Sequence, residues 1–298
     1  MIRADPLAPL APEHRLLLRA AFGTPTVAKD AWQEWRHRVD FDAIDSASQR
    51  LLPLLVRRDG VIPRDDSVSG RVRGLYRRTW VRNQALWDSI RPAVEALAQR
   101  RIPLLLVGEA ALVGLSGDVG SRPIQTLTMA VGPRHRSEAA QALTLLGWRP
   151  RMVGVRRWLR WRLLPAGDNW SFTGPDDAAA AKPLRLCLGA PWAVADSMAW
   201  QGAQPLAVAG TVRQLQHPGD LLLQLILESA RPCQRLSPQW VADVMQLLRV
   251  SDTEGVAARL QARSRHRRLP QAFRTRLIGS GELVDDPAPA ALLAQLER

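Results

Sequence analysis

Few side chains in this sequence stand at spacings that could support catalysis or hold a metal ion. The five histidines share no spacing typical of a catalytic triad or a metal site, and Cys187 and Cys233 form no ligand pair. No glycine-rich phosphate loop of the P-loop or dinucleotide type is present. Adjacent aspartates occur three times, and we interpret each pair as a solvated loop or capping feature: Asp65-Asp66, Asp176-Asp177 and Asp285-Asp286. These residues therefore identify no active site by themselves.

Two isolated acids lie where a metal site could be built. Glu109 follows Gly108 at the start of a predicted helix, and Asp118 lies in the loop before Arg122. The helix dipole favours an acid in the first turn, and aspartate is common in turns. We favour these structural roles over metal ligation.

The positive charge of the chain is almost entirely arginine. Lys and Arg together number 41 against 28 acids, a formal net charge of +13, and the only lysines are Lys29 and Lys182. We favour a solvated arginine surface, and keep open a surface that binds polyanions. The segments that could form such a surface combine arginine with tryptophan or cluster arginine: Arg156, Trp158, Arg160, Arg162 and residues 265–268.

The composition is that of a globular protein with no membrane segment. Hydrophobic residues make up 46% of the chain, and no apolar run approaches the roughly 18–20 residues that cross a bilayer. The first residues carry no apolar core of a secretory signal, and two unpaired cysteines suit a reduced compartment. We expect a cytoplasmic protein whose cysteines are small core residues.

The pattern of apolar residues predicts helices at both ends and strands between them. Periodicity of three and four residues predicts N-terminal helices, namely 13–21, 31–38, Asp42 to Leu55 and a long helix from Val72 to Arg101 that contains Pro92. We predict C-terminal helices at 218–230, 238–249 and 253–264, with a short one near the end of the chain. The predicted regions are therefore 1–97 (helical), 98–200 (an α/β core) and 201–298 (helical).

Short apolar runs within 98–200 predict the strands of the core. Continuous apolar runs are typical of buried strands, and alternation is typical of half-buried ones. The predicted strands are Ile102–Val107, Ile124–Val131, Val153–Leu163 and Leu184–Leu188. Between them we predict helices at Glu109–Leu115 and Ser137–Leu146, and a polar loop over 165–183.

Several short segments carry a resemblance to a known family. Residues 101–112 read Arg-Ile-Pro-Leu-Leu-Leu-Val-Gly-Glu-Ala-Ala-Leu, and residues 121–131 read Ser-Arg-Pro-Ile-Gln-Thr-Leu-Thr-Met-Ala-Val. The flanking segments are Asp-Phe-Asp (40–42), Leu-Leu-Pro-Leu-Leu (51–55), Arg-Asn (82–83), Leu-Thr-Leu-Leu-Gly-Trp (143–148), Leu-Gln-His-Pro-Gly-Asp-Leu-Leu (215–222) and Trp-Val-Ala-Asp (240–243). In this order they resemble the uncharacterised nucleotidyltransferase family of bacterial biosynthetic gene clusters. The resemblance implies an α+β fold, a nucleotidyltransferase-type mixed β-sheet core with N- and C-terminal helical regions.

The same resemblance implies a magnesium site that this sequence lacks. Nucleotidyl transfer uses two Mg²⁺ held by carboxylates, and the family supplies an Asp-x-Asp pair from one strand and a third acid from a neighbour. The pair falls on Thr126 and Thr128, and the third acid falls on Arg185. A neutral hydroxyl is a poor substitute for a carboxylate, and arginine brings a positive charge. Further departures from the family's Lys and His positions fall at Val107, Cys187 and Glu228.

The sequence therefore predicts a nucleotidyltransferase-fold protein that is catalytically inactive and has no metal or cofactor. We expect an accessory or binding role, with a pathway enzyme, an acidic peptide or a phosphate-bearing ligand as partner. An anion could bind to backbone N–H groups at a helix N-terminus together with arginine, at Gly108, Glu109, Arg122 and Arg185. Arg122 could instead only tether its loop. Two alternatives stay open: an active enzyme with relocated metal ligands that uses Mg²⁺ and NTP, and a less favoured nucleic-acid-binding protein.

Overall fold

The chain folds into two units that are each assembled from separate stretches of sequence. The computed structural model describes residues 10–150, 169–174, 184–187, 197–208, 211–229, 237–264 and 271–297. The sheet unit consists of Arg82–Leu115 and Ile124–Leu221, and the helical unit of Met1–Val81, Ser116–Pro123 and Leu222–Arg298. The chain passes between the units after residues 81, 115, 123 and 221.

A mixed β-sheet forms the sheet unit. Among the described residues the strands are β1 (Leu104–Val107), β2 (Leu127–Val131), β3 (Arg149–Pro150), β4 (Asn169–Thr173), β5 (Leu184–Cys187), β6 (Gln204–Val208) and β7 (Thr211–Leu215). They lie in the order β3-β4-β5-β2-β1-β7-β6. Strand β1 is antiparallel to β2 and parallel to β7, while β2 is parallel to β5. The predicted α+β class with a mixed sheet is confirmed.

The central strands are buried, as their continuous apolar runs predict. Leu105, Leu106, Met129 and Val131 have no exposed surface, because strands in the middle of a covered sheet are buried on both faces. Strand β2 begins three residues later than predicted. The backbone N–H groups of residues 124–126 donate to side chains, so these residues do not pair with a neighbouring strand.

Two parts of the sheet differ from the sequence analysis. Residues 169–173, predicted as part of a polar loop, form β4, in which the buried Phe172 alternates with polar neighbours. The antiparallel pair β6–β7 was not predicted, although the sequence between its two short strands contains a glycine, a residue type that is common in turns. Strand β4 and the pair β6–β7 are short and only partly apolar. The surrounding sheet therefore contributes more to their formation than their own sequence patterns do.

Along the chain, helices precede, separate and follow these strands as the sequence predicts, and two further helices, 197–201 and 271–284, were not predicted. The α-helices are α1 (Pro12–Phe22), α2 (Pro25–Arg38), α3 (Ser46–Leu51), α4 (Ser69–Gln99), α5 (Glu109–Ser116), α6 (Arg136–Leu145), α7 (Ser197–Gln201), α8 (Pro218–Ser229), α9 (Pro238–Val250), α10 (Thr253–Ser264), α11 (Gln271–Val284) and α12 (Ala288–Leu296). Helix α4 ends two residues before Arg101, which has a φ of 55°. The N–H of Ile102 donates to the carbonyl of Leu97 at 3.0 Å, a bond that closes the helix end.

The predicted helix from Asp42 to Leu55 is wrong, because the segment is broken into three pieces. Short 3₁₀-helices at Phe41–Ala43 and Leu52–Arg57 flank α3. Asp45 caps α3 by accepting from the N–H of Ser48 at 2.7 Å. Pro53 stands at the start of the second 3₁₀-helix, where it cannot donate the hydrogen bond that would continue α3.

Aromatic residues form part of the core of the helical unit. Trp32 and Trp35 of α2 stack with ring centroids 5.4 Å apart, and Phe41 packs edge-on against Trp35. The carboxylate of Asp66 accepts from Trp32 Nε1 at 2.9 Å, from Arg36 Nε at 3.3 Å and from the N–H of residue 68 at 3.0 Å. Burial opposes ionisation of Asp66, but these hydrogen bonds outweigh burial and lower its pKa.

Some predictions concern residues outside the described part of the chain. They are the strand Val153–Leu163, the aspartate pair Asp176-Asp177, Cys233 and the basic segments Arg156 to Arg162 and 265–268. In the described residues, no helix combines the length and apolarity needed to cross a bilayer.

Candidate functional site

The turn between β1 and α5 is the centre of the candidate site. Gly108 joins the strand to the helix with a φ of 62°, a conformation that favours glycine. Its N–H donates to Oε1 of Gln216 at 3.4 Å, and the N–H of Gln216 donates to the carbonyl of Leu106 at 3.0 Å. Gln216 is fully buried, so it supports the turn from the interior.

The side-chain nitrogen of Gln216 has no partner at this turn. Its Nε2 is buried and makes no hydrogen bond with any described residue. A buried donor without an acceptor costs about 1–3 kcal/mol. The interior of the Gly108 turn therefore contains one buried donor that no described residue satisfies.

Glu109, the first residue of α5, bonds to the backbone that leads into β2. Its Oε2 accepts from the N–H of Gln125 at 2.5 Å and from the N–H of Thr126 at 3.2 Å. The carboxylate thus stands at a helix N-terminus, where the dipole favours negative charge, and it also satisfies two backbone donors. This contact agrees with the structural role favoured for Glu109.

The two threonines at the family's Asp-x-Asp positions lie next to this contact. Thr128 belongs to β2, and Thr126 directly precedes the strand. Both are half-buried, whereas Leu127 and Met129 are fully buried. This alternation is the period of two that brings residues 126 and 128 to one side of an extended chain.

Arg185 stands beside Thr128 in the sheet. In the parallel pair β2–β5 the register joins Thr128 to Arg185, and in the antiparallel pair β1–β2 it joins Thr128 to Val107. Ser171 of β4 continues the row on the far side of Arg185. The row from β1 to β4 therefore reads Val107, Thr128, Arg185 and Ser171, with no acidic residue.

Arg122 belongs to the helical unit and is engaged by a buried carboxylate. Its Nε donates to Oδ1 of Asp243 and its Nη2 to Oδ2, each at 2.7 Å. Arg122 is 4% exposed and Asp243 is 6% exposed. Gln239 Nε2 also donates to the carboxylate at 2.9 Å. The pair ties the 116–123 segment to α9, which supports the tethering role named above for Arg122.

Asp118 of the same segment is also part of a local network. Its Oδ1 accepts from the hydroxyl of Tyr76 at 2.7 Å and from the N–H of Gly120 at 3.2 Å, and Arg57 lies 3.5 Å from Oδ2. Burial and the hydrogen bond to Asp118 raise the pKa of Tyr76. Among the described residues, no group of three His, Cys, Asp or Glu side chains is arranged to hold a metal ion.

Five of the six predicted site positions belong to one unit of the structure, and the sixth, Arg122, belongs to the other. Gly108, Glu109, Thr126, Thr128 and Arg185 all belong to the sheet unit. Three supporting residues had no predicted role, although each lies in a motif that carried the resemblance: Asn83, Gln216 and Asp243. Asn83, for example, accepts the N–H of Ile124 at 3.0 Å and so positions the segment before β2.

A known protein family matches most of the chain. Residues 46–278 match the family described as an uncharacterised nucleotidyltransferase. The chain belongs to this family. No curated protein matches the chain. The match covers the Gly108 turn, both threonines, Arg185 and the Arg122–Asp243 pair.

Several solved structures are similar to this family member at low identity. The solution structure of the antibiotic-resistance factor ANT(2'')-Ia has 17% identity and a TM-score of 0.44, covering 62% of this chain and 94% of that one. A crystal structure of ANT(2'')-Ia with adenylyl-2''-tobramycin has 16% identity and a TM-score of 0.41, covering 58% and 94%. An antigenic nucleotidyltransferase-like protein from Paracoccidioides brasiliensis has 14% identity and a TM-score of 0.39, covering 65% and 92%.

Proposed function

We propose that this nucleotidyltransferase-fold protein does not transfer nucleotides and acts as an accessory or binding component of a biosynthetic pathway. The observation that carries the proposal is the register of Thr128 beside Arg185. These are the positions at which the family's resemblance implies two of the three metal-binding acids. Here a hydroxyl and a guanidinium replace them.

The residues at these positions do not fit magnesium. Mg²⁺ prefers carboxylate and water oxygens in octahedral geometry, and a threonine hydroxyl is neutral. Arginine stands at the paired register position of the neighbouring strand, and a guanidinium supplies no oxygen ligand for a dication. We therefore derive no catalytic step through a metal at this site.

The alternative of an active enzyme with relocated ligands would depend on Glu109 or Asp118. The described contacts assign both acids to other tasks: Glu109 binds two backbone N–H groups, and Asp118 binds Tyr76 and Gly120. The contacts of these two acids therefore favour the inactive protein over the relocated site.

We propose that the Gly108 turn binds an anionic group, on a phosphate-bearing small molecule or an acidic peptide. Support comes from the half-buried Gly108 and Thr128 and from the arginine at position 185, which the register of β2 and β5 places next to Thr128. Glu109 limits the affinity because its carboxylate stands at the same helix end. With one or two charge-assisted hydrogen bonds of about 1.5–3 kcal/mol each, we expect binding at millimolar to high micromolar concentration.

The test is to restore the acids and compare metal binding. We expect no saturable heat of Mg²⁺ or Mn²⁺ binding to the natural protein at millimolar metal, with or without ATP, and no Mg²⁺-dependent label transfer from NTP. The variant Thr126→Asp/Thr128→Asp/Arg185→Asp should gain saturable Mn²⁺ binding. Saturable metal binding or label transfer by the natural protein would overturn the proposal.

A matched control separates ligand geometry from added negative charge. Arg134→Asp/Arg149→Asp changes the net charge by the same amount at exposed positions of the sheet unit. This control should not gain Mn²⁺ binding. Equal gains in both variants would mean that charge alone attracts the metal, and the assigned positions would then be wrong.

A further inference from the structure

The N-terminal half of α4 is unusually basic. From Ser69 to residue 87 the helix contains Arg71, Arg73, Arg77, Arg78 and Arg82 and no acidic residue, and the first acid is Asp88. Arginines one turn apart, such as Arg73 and Arg77, repel each other and destabilise a helix. Helix stability therefore does not explain this run of charge.

Two exposed apolar side chains lie among these arginines. Trp80 is 44% exposed and Val81 is 53% exposed, and Arg73 and Arg77 are exposed as well. Their spacing of i, i+4, i+7 and i+8 places all four on one face of the helix. They all belong to the helical unit. We call this set, with the exposed Arg78, the arginine–tryptophan face.

The arginines of this face have no counter-charge in the described part of the chain. Arg71, at the start of the helix, is bound to the carboxylate of Asp42 and lies over the ring of Phe41. Arg73, Arg77 and Arg78 form no ion pair or side-chain hydrogen bond with any described residue. Three guanidinium groups that no described residue pairs with, beside an exposed indole, form a surface that is complementary to an anionic partner with flat aromatic groups.

We propose that the arginine–tryptophan face binds single-stranded nucleic acid. Arginines contact the phosphates, and an exposed tryptophan provides a platform on which an unpaired base stacks. A lipid surface fits less well, because an interfacial helix inserts a broad apolar face. The apolar face of α4 is buried in the protein at Val72 and Ile90, so only Trp80 and Val81 are available outside.

The probe is a fluorescein-labelled oligouridylate of 12 nucleotides, with binding followed by fluorescence anisotropy between 25 and 200 mM salt. Each neutralised phosphate contributes about −0.7 to the slope of log K against log salt concentration for a single strand. Contacts from three arginines predict a slope near −2, and Arg77→Gln should reduce its magnitude by about 0.7. Trp80→Ala should weaken binding about fivefold or more, as expected for loss of one stacked base.

Charge-matched variants test the location. Arg73→Gln/Arg77→Gln and Arg38→Gln/Arg91→Gln each remove two positive charges, but Arg38 and Arg91 are paired with Glu34 and Asp88. Only the first variant should lose most of the affinity, and neither should lower the melting temperature appreciably, because an exposed charge pair on a helix contributes only about 0.2–0.5 kcal/mol. Equal losses would overturn the proposal. So would unchanged binding by Trp80→Ala together with equal competition by polyglutamate, which would identify an acidic peptide as the ligand instead.

Discussion

Replacing Asp243 with alanine should destabilise the helical unit strongly. Asp243 holds the guanidinium of Arg122 through two hydrogen bonds of 2.7 Å, and both side chains are at least nine-tenths buried. After the change, the buried guanidinium of Arg122 would lose this carboxylate and both of its hydrogen bonds. The neighbouring Gln239 Nε2 would also lose its acceptor.

The expected magnitude follows from the burial of the pair. Removing one partner of a buried ion pair typically costs about 3–5 kcal/mol, because the other charge is left uncompensated. Replacing both partners by apolar residues of similar volume is often neutral or stabilising. Arg122→Met/Asp243→Leu should therefore recover most of the stability that Asp243→Ala loses.

Urea denaturation measures both variants. The transition of the helical unit can be followed by circular dichroism and by tryptophan fluorescence, since Trp240 is buried in the same helix as Asp243. The control is Glu34→Ala, which breaks the exposed ion pair with Arg38 and should cost less than about 1 kcal/mol. A loss below about 1 kcal/mol for Asp243→Ala would refute the assignment of Asp243 as the counter-charge of the buried Arg122.

Three further measurements follow from the described contacts. Hydrogen bonds outweigh burial and lower the pKa of Asp66 below its ordinary 3.8. The stabilising contribution of Asp66 should therefore be complete above about pH 4 and disappear as the pH falls through the lowered pKa. The stability deficit of Asp66→Asn in urea should shrink over that range, and a deficit that is constant with pH would contradict this. Tyr76→Phe removes the hydroxyl bonded to Asp118 and should cost about 1–3 kcal/mol at pH 7, whereas an unchanged urea midpoint would show that this hydrogen bond is not formed in solution. Pyrophosphate without metal should raise the melting temperature of the natural protein but not of Arg185→Asp, and equal shifts in both would exclude Arg185 from the anion site.

The local features of the site could be predicted from the sequence. The continuous apolar run 102–107 followed by a glycine predicts a buried strand, a sharp turn and a helix, and the structure has β1, Gly108 and α5 in that order. Each of these elements depends on neighbouring residues, so a pattern within a short window contains the information. The assignment of Thr126 and Thr128 to the metal positions came instead from the resemblance to the family, and the local pattern predicted only that both residues lie on one side of an extended segment.

The partners of the site residues could not be predicted in this way. Gly108 bonds to a glutamine 108 residues later, Ile124 to an asparagine 41 residues earlier and Arg122 to an aspartate 121 residues later. Periodicity describes one element at a time and contains no information about which distant side chains meet. The extent of β2 was predicted incorrectly for this reason, because Asn83 and Glu109 take the backbone donors that a longer strand would use.

The division of the chain after residues 81, 115, 123 and 221 has a consequence for the order in which the protein is made. Arg122 leaves the ribosome 121 residues before Asp243 does. At a synthesis rate of about 5–20 residues per second, Asp243 is made roughly 6–24 s after Arg122. During that interval the N-terminal helices α1 to α3 also lack the C-terminal helices of their own unit. The helical unit, although its residues 1–81 are made before the sheet unit, is therefore completed after it, and neither unit consists of one uninterrupted stretch of the chain.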